Sequence, residues 1–524
     1  MGETIAKMIA ALLCATLFCI ATRKMLGAMQ QAGYKNRAFL GWYTQKGNMQ
    51  CNRLTVFGFC LVLVSAVTAL CFSFLGVLWA NVLSADPFLV LCLTYLLSEE
   101  KYALKVQTAP SGRRNRLFAV YFLFAACLAY VVIALLAFLA KLNGSSLYAC
   151  IAFVPFGFFP IVMPFLLCLA NAVTSIFENA RNKKFVQRAG QVLDESTCIR
   201  VGVVGSYGKT SVKNILKTLL EEKYSVVETP LSYNTPIGVA KTVLSEDFAG
   251  KEVFIAEMGA RKKGDIAELC AMVKPSYGIF TGVCSQHIRT FGDLQSVYEE
   301  KSEILRSGAK VICGEGVKAL YSGVATACPV EDVAFSATST SFTLCLGEQK
   351  IAVKTTLLGS AAVENIALAA TLAFEMGLSA EQIQRGVEKL QPIEHRLQLI
   401  ESGGAYILDD GYNASEKSAK AAIEALCRFE GGKCIVTPGI VECGILEEQI
   451  NGKLGEEIAK ANLDKVILVG DTLVGAVKSG YLAAGGEASK LTTVKTLDLA
   501  KPILGEWLKA GDCVLFLNDL PDVY

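Results

Sequence analysis

Val204-Gly205-Ser206-Tyr207-Gly208-Lys209-Thr210-Ser211 decides how the second half of this chain folds. It follows the apolar run Val201 to Val204 and opens an amphipathic stretch, Val212 to Leu220. Strand, glycine turn and helix in that order gather backbone N–H groups and the positive end of a helix dipole at one point, which is how a chain cradles phosphates. The turn is shorter than the standard G-x-x-x-x-G-K-[ST] pattern, because Val203 stands where its first glycine would be. The chemistry survives the change: Lys209 can neutralise β/γ oxygens and the Thr210 hydroxyl can ligate Mg²⁺. The expected ligand is ATP, held by Gly205, Ser206, Tyr207, Gly208, Lys209, Thr210 and Ser211.

Downstream of this turn the pattern is α/β. Apolar runs at Val201 to Val204, Val253 to Ala256, Gly278 to Val283 and Val311 to Cys313 alternate with segments of helical period, as a parallel sheet covered by helices requires. Val333 to Leu358, rich in Thr, Ser and Val, reads as a small antiparallel insertion; Ser360 to Met376 and Ala380 to Leu390 read as helices. A second alternation places strands at Tyr406 to Asp409, Cys434 to Thr437, Val466 to Val469 and Cys513 to Leu517. About 325 residues exceed one typical core, so a boundary is expected near Gln391-Pro392, giving domains over 190–391 and 392–524.

Upstream the chain is far more apolar, and hydrophobic residues make up 53% of the whole. Leu117 to Ala140 runs 24 residues without a charge, long enough as a helix for a ~30 Å hydrocarbon core. Leu54 to Leu97, broken by Asn81 and Asp86-Pro87, reads as two crossings. Ile5 to Ala21 and Tyr148 to Thr174, the latter with Pro155, Pro160 and Pro164, complete about five spans in a helical membrane domain over 1–180. Basic residues cluster between spans one and two, between three and four, and after the fifth, while the opposite side holds only Lys7 and Lys141. The positive-inside rule then puts everything after Ser175 in the cytoplasm, with ATP. A net charge of +2 gives no field arguing for nucleic acid. The 19 cysteines, without a C-x-x-C pair or zinc spacing, read as small apolar residues of a reducing compartment.

Several further stretches occur in an order that resembles the Mur ligases. They are Gly205 to Thr210, Ser232-Tyr-Asn-Thr-Pro-Ile-Gly238, Glu257-Met-Gly-Ala260, His287 to Gly292, Glu300-Lys-Ser-Glu-Ile304, Glu394-His-Arg396, Leu408-Asp-Asp-Gly-Tyr-Asn-Ala414 and Thr437-Pro-Gly-Ile-Val-Glu442. Within that family the chain looks most like the MurF type, which adds D-alanyl-D-alanine to a UDP-muramoyl tripeptide. The resemblance covers roughly Asp194 onward and implies a P-loop central domain followed by a Rossmann-like C-terminal domain. It implies Mg²⁺, in up to two sites, with Thr210, Glu257 and His287 as metal ligands. Lys301 would be the carbamylated lysine of the family, Asn234 would lie near the γ-phosphate and acceptor, and Asn365, Arg396 and Asp410 would contact the nucleotide. Without the resemblance these are ordinary residues: a strand-end acid, a loop histidine, a helix lysine, a turn amide.

The implied reaction has two steps. A substrate carboxylate attacks the γ-phosphate to give an acyl phosphate and ADP, with Lys209 and the metals offsetting the charge that builds on the oxygens. An amine then displaces phosphate, leaving an amide. The implied partners are a muramoyl-peptide-like carboxylate, an amine such as D-alanyl-D-alanine, and the lipid bilayer of a bacterial plasma membrane. Three departures bear on substrate: membrane spans stand where a UDP-sugar-binding domain is expected, Ala361 stands where a histidine is usual before Asn365, and Asn451 replaces a second histidine. Other readings are a Mur-type ligase acting on a lipid-linked wall precursor or a poly-glutamate chain, and a membrane subunit whose nucleotide domain only gates or scaffolds.

Overall fold

The computed structural model describes residues 2–44, 111–143, 159–230, 233–284, 291–318, 320–321, 323–412, 414–441 and 443–518. The two crossings expected within Leu54–Leu97 and the expected ligand His287 lie outside them. Two compact units divide near Asn182 and Lys183.

The first unit is helical: α1 (Gly2–Ala21), α2 (Arg23–Gln31), α3 (Asn36–Thr44), α4 (Gly112–Asn143) and the first part of α5 (Phe159–Glu195). Three of these, over Gly2–Ile20, Gly112–Leu135 and Val162–Glu195, are long and apolar enough to cross a membrane. The last differs from the sequence reading. The expected span ended at Thr174, but the helix runs on to Glu195 and takes Pro164 inside it. The continuation is held by burial, because Val186, Ala189 and Leu193 enter the core of the second unit. Apolar residues of all five helices form the first unit's own core, around Phe18, Met25, Phe39, Leu117, Tyr121 and Met163.

The second unit contains two six-stranded sheets. In the first, β1 (Ile199–Val204) leads into α6 (Lys209–Leu220), followed by β2 (Val226–Glu228), α7 (Pro236–Ser245), β3 (Val253–Met258), α8 (Asp265–Val273), β4 (Tyr277–Phe280), α9 (Leu294–Lys301), β5 (Lys310–Cys313) and β6 (Ala325–Thr326). Strand order is β2-β3-β1-β4-β5-β6, and every pair is parallel. Strands buried on both faces need apolar residues throughout, and Val253 to Met258 is buried at all six positions. α6 buries Val212, Ile215, Leu216, Leu219 and Leu220, the spacing of a single helical face.

A three-stranded antiparallel sheet follows, β7 (Val330–Phe335), β8 (Thr340–Leu346) and β9 (Gln349–Thr355), where an antiparallel insertion was expected. It packs its inward residues Phe342, Leu344 and Leu346 into the core that also holds α10 (Gly359–Glu375) and α11 (Ala380–Glu388).

The second sheet comprises β10 (Gln398–Ser402), β11 (Ala405–Asp410), β12 (Lys433–Thr437), β13 (Lys465–Val469), β14 (Leu491–Val494) and β15 (Cys513–Leu517). Helices α12 (Glu416–Leu426), α13 (Glu447–Lys460), α14 (Val474–Ala483) and α15 (Leu497–Trp507) cover it, with separate cores on its two faces. Its order is β10-β11-β15-β12-β13-β14. The sheet is parallel apart from the β10 edge, and its last strand inserts between β11 and β12, an order that differs from the 3-2-1-4-5-6 Rossmann arrangement. The insertion sets the carboxyl ends of β11, β15 and β12 side by side.

Candidate active site

Strand register fixes the first half of the site. Val203 pairs with Glu257 across β1 and β3, and Val204 pairs with Phe280 across β1 and β4, so the glycine turn after β1 meets the ends of both neighbours. The Ser206 N–H donates to Gly282 O at 2.8 Å and the Thr281 hydroxyl to Tyr207 O at 2.5 Å, which ties the turn to the segment after β4. Gly208, at φ +71°, is the residue before α6; a Cβ there would lie 2.7 Å from Asn365 Oδ1. Glycine is therefore required both for the left-handed backbone and for the approach of Asn365.

Glu257 sits at the centre, 1% exposed. One carboxylate oxygen accepts from the Thr210 hydroxyl at 2.9 Å, the other from the Asn234 amide at 2.9 Å, and its own N–H donates to Thr229 Oγ1 at 3.0 Å. Asn234 is held in turn by the Gly259 N–H, which donates to its carbonyl at 2.7 Å. Burial depresses Lys209 below its ordinary value, and Glu257 partly opposes that shift. Lys301, also 1% exposed, donates Nζ to Gly205 O at 3.0 Å. Burial and the neighbouring Lys209 charge push it down to about 7. The two lysine charges thus lie near enough to repel each other. Ser211 is half-buried on the first turn of α6.

The second half comes from the segment joining the sheets. His395 and Leu397 adopt left-handed backbone, φ +58° and +47°, at about 1–2 kcal/mol each. Two hydrogen bonds offset the strain: His395 Nδ1 with Asp409 Oδ2 at 2.7 Å, and the Leu397 N–H donating to Asp410 Oδ1 at 3.1 Å. Arg396, between them, lies 4.1 Å over the Tyr412 ring. Burial pulls its guanidinium down, opposed by Asp410, Tyr412 and Glu257. Asp410 is pushed up to about 7 by burial, against the pull of Arg396. Arg396, on the segment just before β10, thus feels the charges of Glu257 and Lys209 as well as that of Asp410.

The residues present fit a magnesium nucleotide. Ser206 Oγ is buried inside the glycine turn without a hydrogen-bond partner among the described residues, as expected of a group facing a phosphate. Thr210 and Glu257 offer a hydroxyl and a carboxylate 2.9 Å apart, and Mg²⁺ bound with phosphates needs only one or two protein ligands. No group of three His, Cys, Asp or Glu side chains placed to hold a metal occurs among the described residues.

Two families of domain match these halves. Residues 203–373 match the Mur ligase middle domain and residues 395–517 the Mur ligase glutamate ligase domain, together more than half of the chain. The chain belongs to the Mur ligase family. Among curated relatives, the UDP-N-acetylmuramoyl-tripeptide–D-alanyl-D-alanine ligase of Bacillus subtilis is 29% identical over 301 residues, 54% of this chain and 65% of that protein. The Escherichia coli ligase of the same name is 27% identical over 299 residues, 52% and 64% of the two chains. This chain thus spans just under two thirds of either relative. The crystal structure of MurF ligase from Thermotoga maritima in complex with ADP aligns with a TM-score of 0.59 at 26% identity, over 64% of this chain and 80% of that one. MurF from Acinetobacter baumannii, at 23% identity and a TM-score of 0.59, shows the same fold over 64% of this chain and 77% of that one.

Seen as a Mur ligase, the chain has site features that the sequence reading missed. Lys417 on α12 forms an ion pair with Glu364 on α10 at 2.6 Å and lies 5.2 Å from the Tyr207 ring centroid, tying the glutamate ligase domain to the phosphate turn. Gly282 makes room for Tyr207, whose hydroxyl would lie 2.2 Å from a Cβ there. Asn451, fully buried, accepts from the Ile440 N–H at 2.8 Å and donates to Ile440 O at 2.9 Å and Glu447 O at 2.8 Å. Asn518 donates to Gly439 O at 2.6 Å and accepts from the Ala414 N–H at 3.2 Å. These two amides clamp the loop after β12 and join it to the loop after β11. Thr281-Gly282 carried a usable signal, since the residues after a strand parallel to β1 must flank its turn.

Proposed function

We propose that this chain is an ATP-dependent amide ligase of the MurF type, acting in peptidoglycan synthesis. The observation that supports this most is the convergence on one phosphate turn of Lys209, Lys301 and the Thr210–Glu257–Asn234 network, with Arg396 and Asp410 arriving from the second sheet. Such an array suits the step in which a carboxylate oxygen bonds to the γ-phosphorus and the bond to ADP breaks. Lys209 faces the growing negative charge, and a fixed cation in a water-poor site is worth more than in solvent. The amine of the second substrate, D-alanyl-D-alanine in this reading, then bonds to the acyl carbon. Phosphate leaves and the amine proton passes to solvent or base. Mg²⁺, held by Thr210 and Glu257 with His287 a further ligand, would supply Lewis-acid charge to the phosphate oxygens.

Lys301 is proposed to carry a carbamate. With a pKa of about 7, a large share of its amine is neutral at physiological pH, and only the neutral amine adds CO₂. The product is an anion where a buried cation stood, which relieves its repulsion with Lys209. Asn365 and Asp410 are assigned to adenine and ribose, and Arg396 to a phosphate or the ribose. Asn365 against Gly208, Arg396 near Lys209 and Asp410 beside Arg396 support this.

The first unit is proposed to lodge in a bacterial plasma membrane with the ligase domains cytoplasmic. Its three long apolar helices and the basic bias of the sequence support that, and they make a lipid-linked precursor a candidate for the carboxylate. The discriminating assay is ADP release by the purified chain with Mg²⁺, a panel of muramoyl peptides and D-alanyl-D-alanine. Release that requires both substrates supports ligation; turnover independent of the amine contradicts it.

A further inference from the structure

The outer surface of the first unit joins two kinds of chemistry within a few residues. Large apolar side chains stand exposed along its helices, Leu13 at 62%, Leu123 at 58%, Val131 at 60% and Phe165 at 57%. On α5 this surface continues to Ile176 and Phe177, 69% and 71% exposed, and there a buried acid and a group of arginines begin. Glu178, 4% exposed, accepts from Arg116 at 2.5 Å and from Arg181 at 3.1 Å. Arg113 stands beside them: its guanidinium lies 4.0 Å over the Tyr34 ring and donates to Ser175 Oγ at 3.0 Å. Two guanidinium groups thus pair with Glu178, while a third stands on the neighbouring Ser175.

Arg113 is held in place and incompletely used. Tyr34 adopts left-handed backbone at φ +58°, its carbonyl accepts from the Asn171 amide at 2.9 Å, and its hydroxyl shares a hydrogen bond with Ser111 Oγ at 2.9 Å. These contacts fix the ring that supports the guanidinium. The Nε–H of Arg113 is nevertheless buried without a hydrogen-bond partner among the described residues. A buried donor on a permanently charged, oriented fork is costly unless something accepts from it. An acceptor that answers both the orphan N–H and the surplus charge is an anion with several oxygens, and guanidinium matches phosphate geometry in particular.

We propose that this cluster, centred on Arg113, binds the phosphate of an anionic phospholipid head group at the level where the apolar helix faces end. The inference rests on the reading that the first unit inserts in a bilayer, and adds which lipid it takes. A lipid source is favoured over free phosphate because Ile176 and Phe177 continue the apolar surface directly to the arginines, so acyl chains and head group are met together. Each basic group near an anionic surface contributes roughly a fivefold preference, which sets the size of the effect.

The full-length chain is reconstituted in nanodiscs of phosphatidylcholine with a minor fraction of phosphatidylglycerol, then stripped in mild detergent, and the retained lipids are quantified by mass spectrometry. Phosphatidylglycerol should be retained roughly fivefold above its bulk fraction, the excess should vanish in Arg113→Gln, and inorganic phosphate in solution should not displace it. Tyr34→Leu, which removes the supporting ring but keeps the charge, should reduce the excess and serves where Arg113→Gln folds poorly. Retention at the bulk ratio by a chain that stays in lipid overturns this proposal alone. Displacement by inorganic phosphate assigns the cluster to a free anion and also overturns it. A chain recovered in solution without detergent overturns the membrane reading with it.

Discussion

Replacing Glu257 by Gln tests the centre of the site with little change of shape. The carboxylate accepts from Thr210 and Asn234 on its two oxygens. An amide keeps one acceptor and presents an NH₂ to the other donor, so one charge-assisted bond becomes a donor facing a donor. Hydrogen bonds to charged groups contribute about 1.5–3 kcal/mol, and removal of the anion also leaves Lys209 and Arg396 facing each other less well screened. If that free energy is spent on holding the magnesium nucleotide, affinity should fall roughly 10- to 150-fold at about 1.4 kcal/mol per tenfold. Titration with a fluorescent ADP analogue reads this directly. The loss should appear with Mg²⁺ and shrink when EDTA is present, while circular dichroism shows the fold retained. A variant binding the magnesium nucleotide as tightly as the parent would refute the role given to Glu257.

Lys209→Ala should abolish product while leaving the chain in the membrane fraction; undiminished product would remove the phosphate turn from the chemistry. For Lys301, ¹³C-bicarbonate should give a carbamate signal that is larger at pH 8 than at pH 6, because the neutral amine grows through about 7, and Lys301→Arg should abolish it. The same shift makes the folded chain hold fewer protons than the unfolded chain between about 7 and 10.5, so this residue, while uncarbamylated, should add stability as pH rises across that window. Asn451→Ala leaves Ile440 N–H and O without their buried partner and should cost about 1–3 kcal/mol in urea unfolding; an unchanged midpoint would count against the clamp.

The glycine turn was legible because its chemistry is local: strand, turn and helix are adjacent in sequence, and the turn forms where they meet. Glu257 and Lys301 were legible only through ordered resemblance, since their meeting with the turn depends on β3 lying beside β1 and on α9 returning a lysine to Gly205 O. Short strands were missed for a physical reason. Val226–Glu228 and Ala325–Thr326 occupy sheet edges and bury too few residues to leave a periodic signal. The end of α5 was misplaced because polarity rises after Thr174, whereas the small and apolar side chains of Val186, Ala189 and Leu193 still pay for helix by docking in a core. Asn451 and Asn518 act on backbone atoms far away in sequence or across a turn, and an amide that pairs with a peptide group leaves no pattern in the chain. The order of the second sheet was equally hidden, because nothing in Cys513 to Leu517 states which two strands it will separate.

The most direct test of the central claim, that this site activates a carboxylate by phosphorylation, follows oxygen. A muramoyl peptide carrying ¹⁸O in its free carboxylate is incubated with the full chain, ATP, Mg²⁺ and D-alanyl-D-alanine, and the released inorganic phosphate is analysed by mass spectrometry. An acyl phosphate broken by the amine must leave one labelled oxygen in each phosphate formed from a fully labelled carboxylate. Phosphate released at the same rate with no label would mean that water, not the carboxylate, attacks the nucleotide, and the account of a bond-forming site would be wrong.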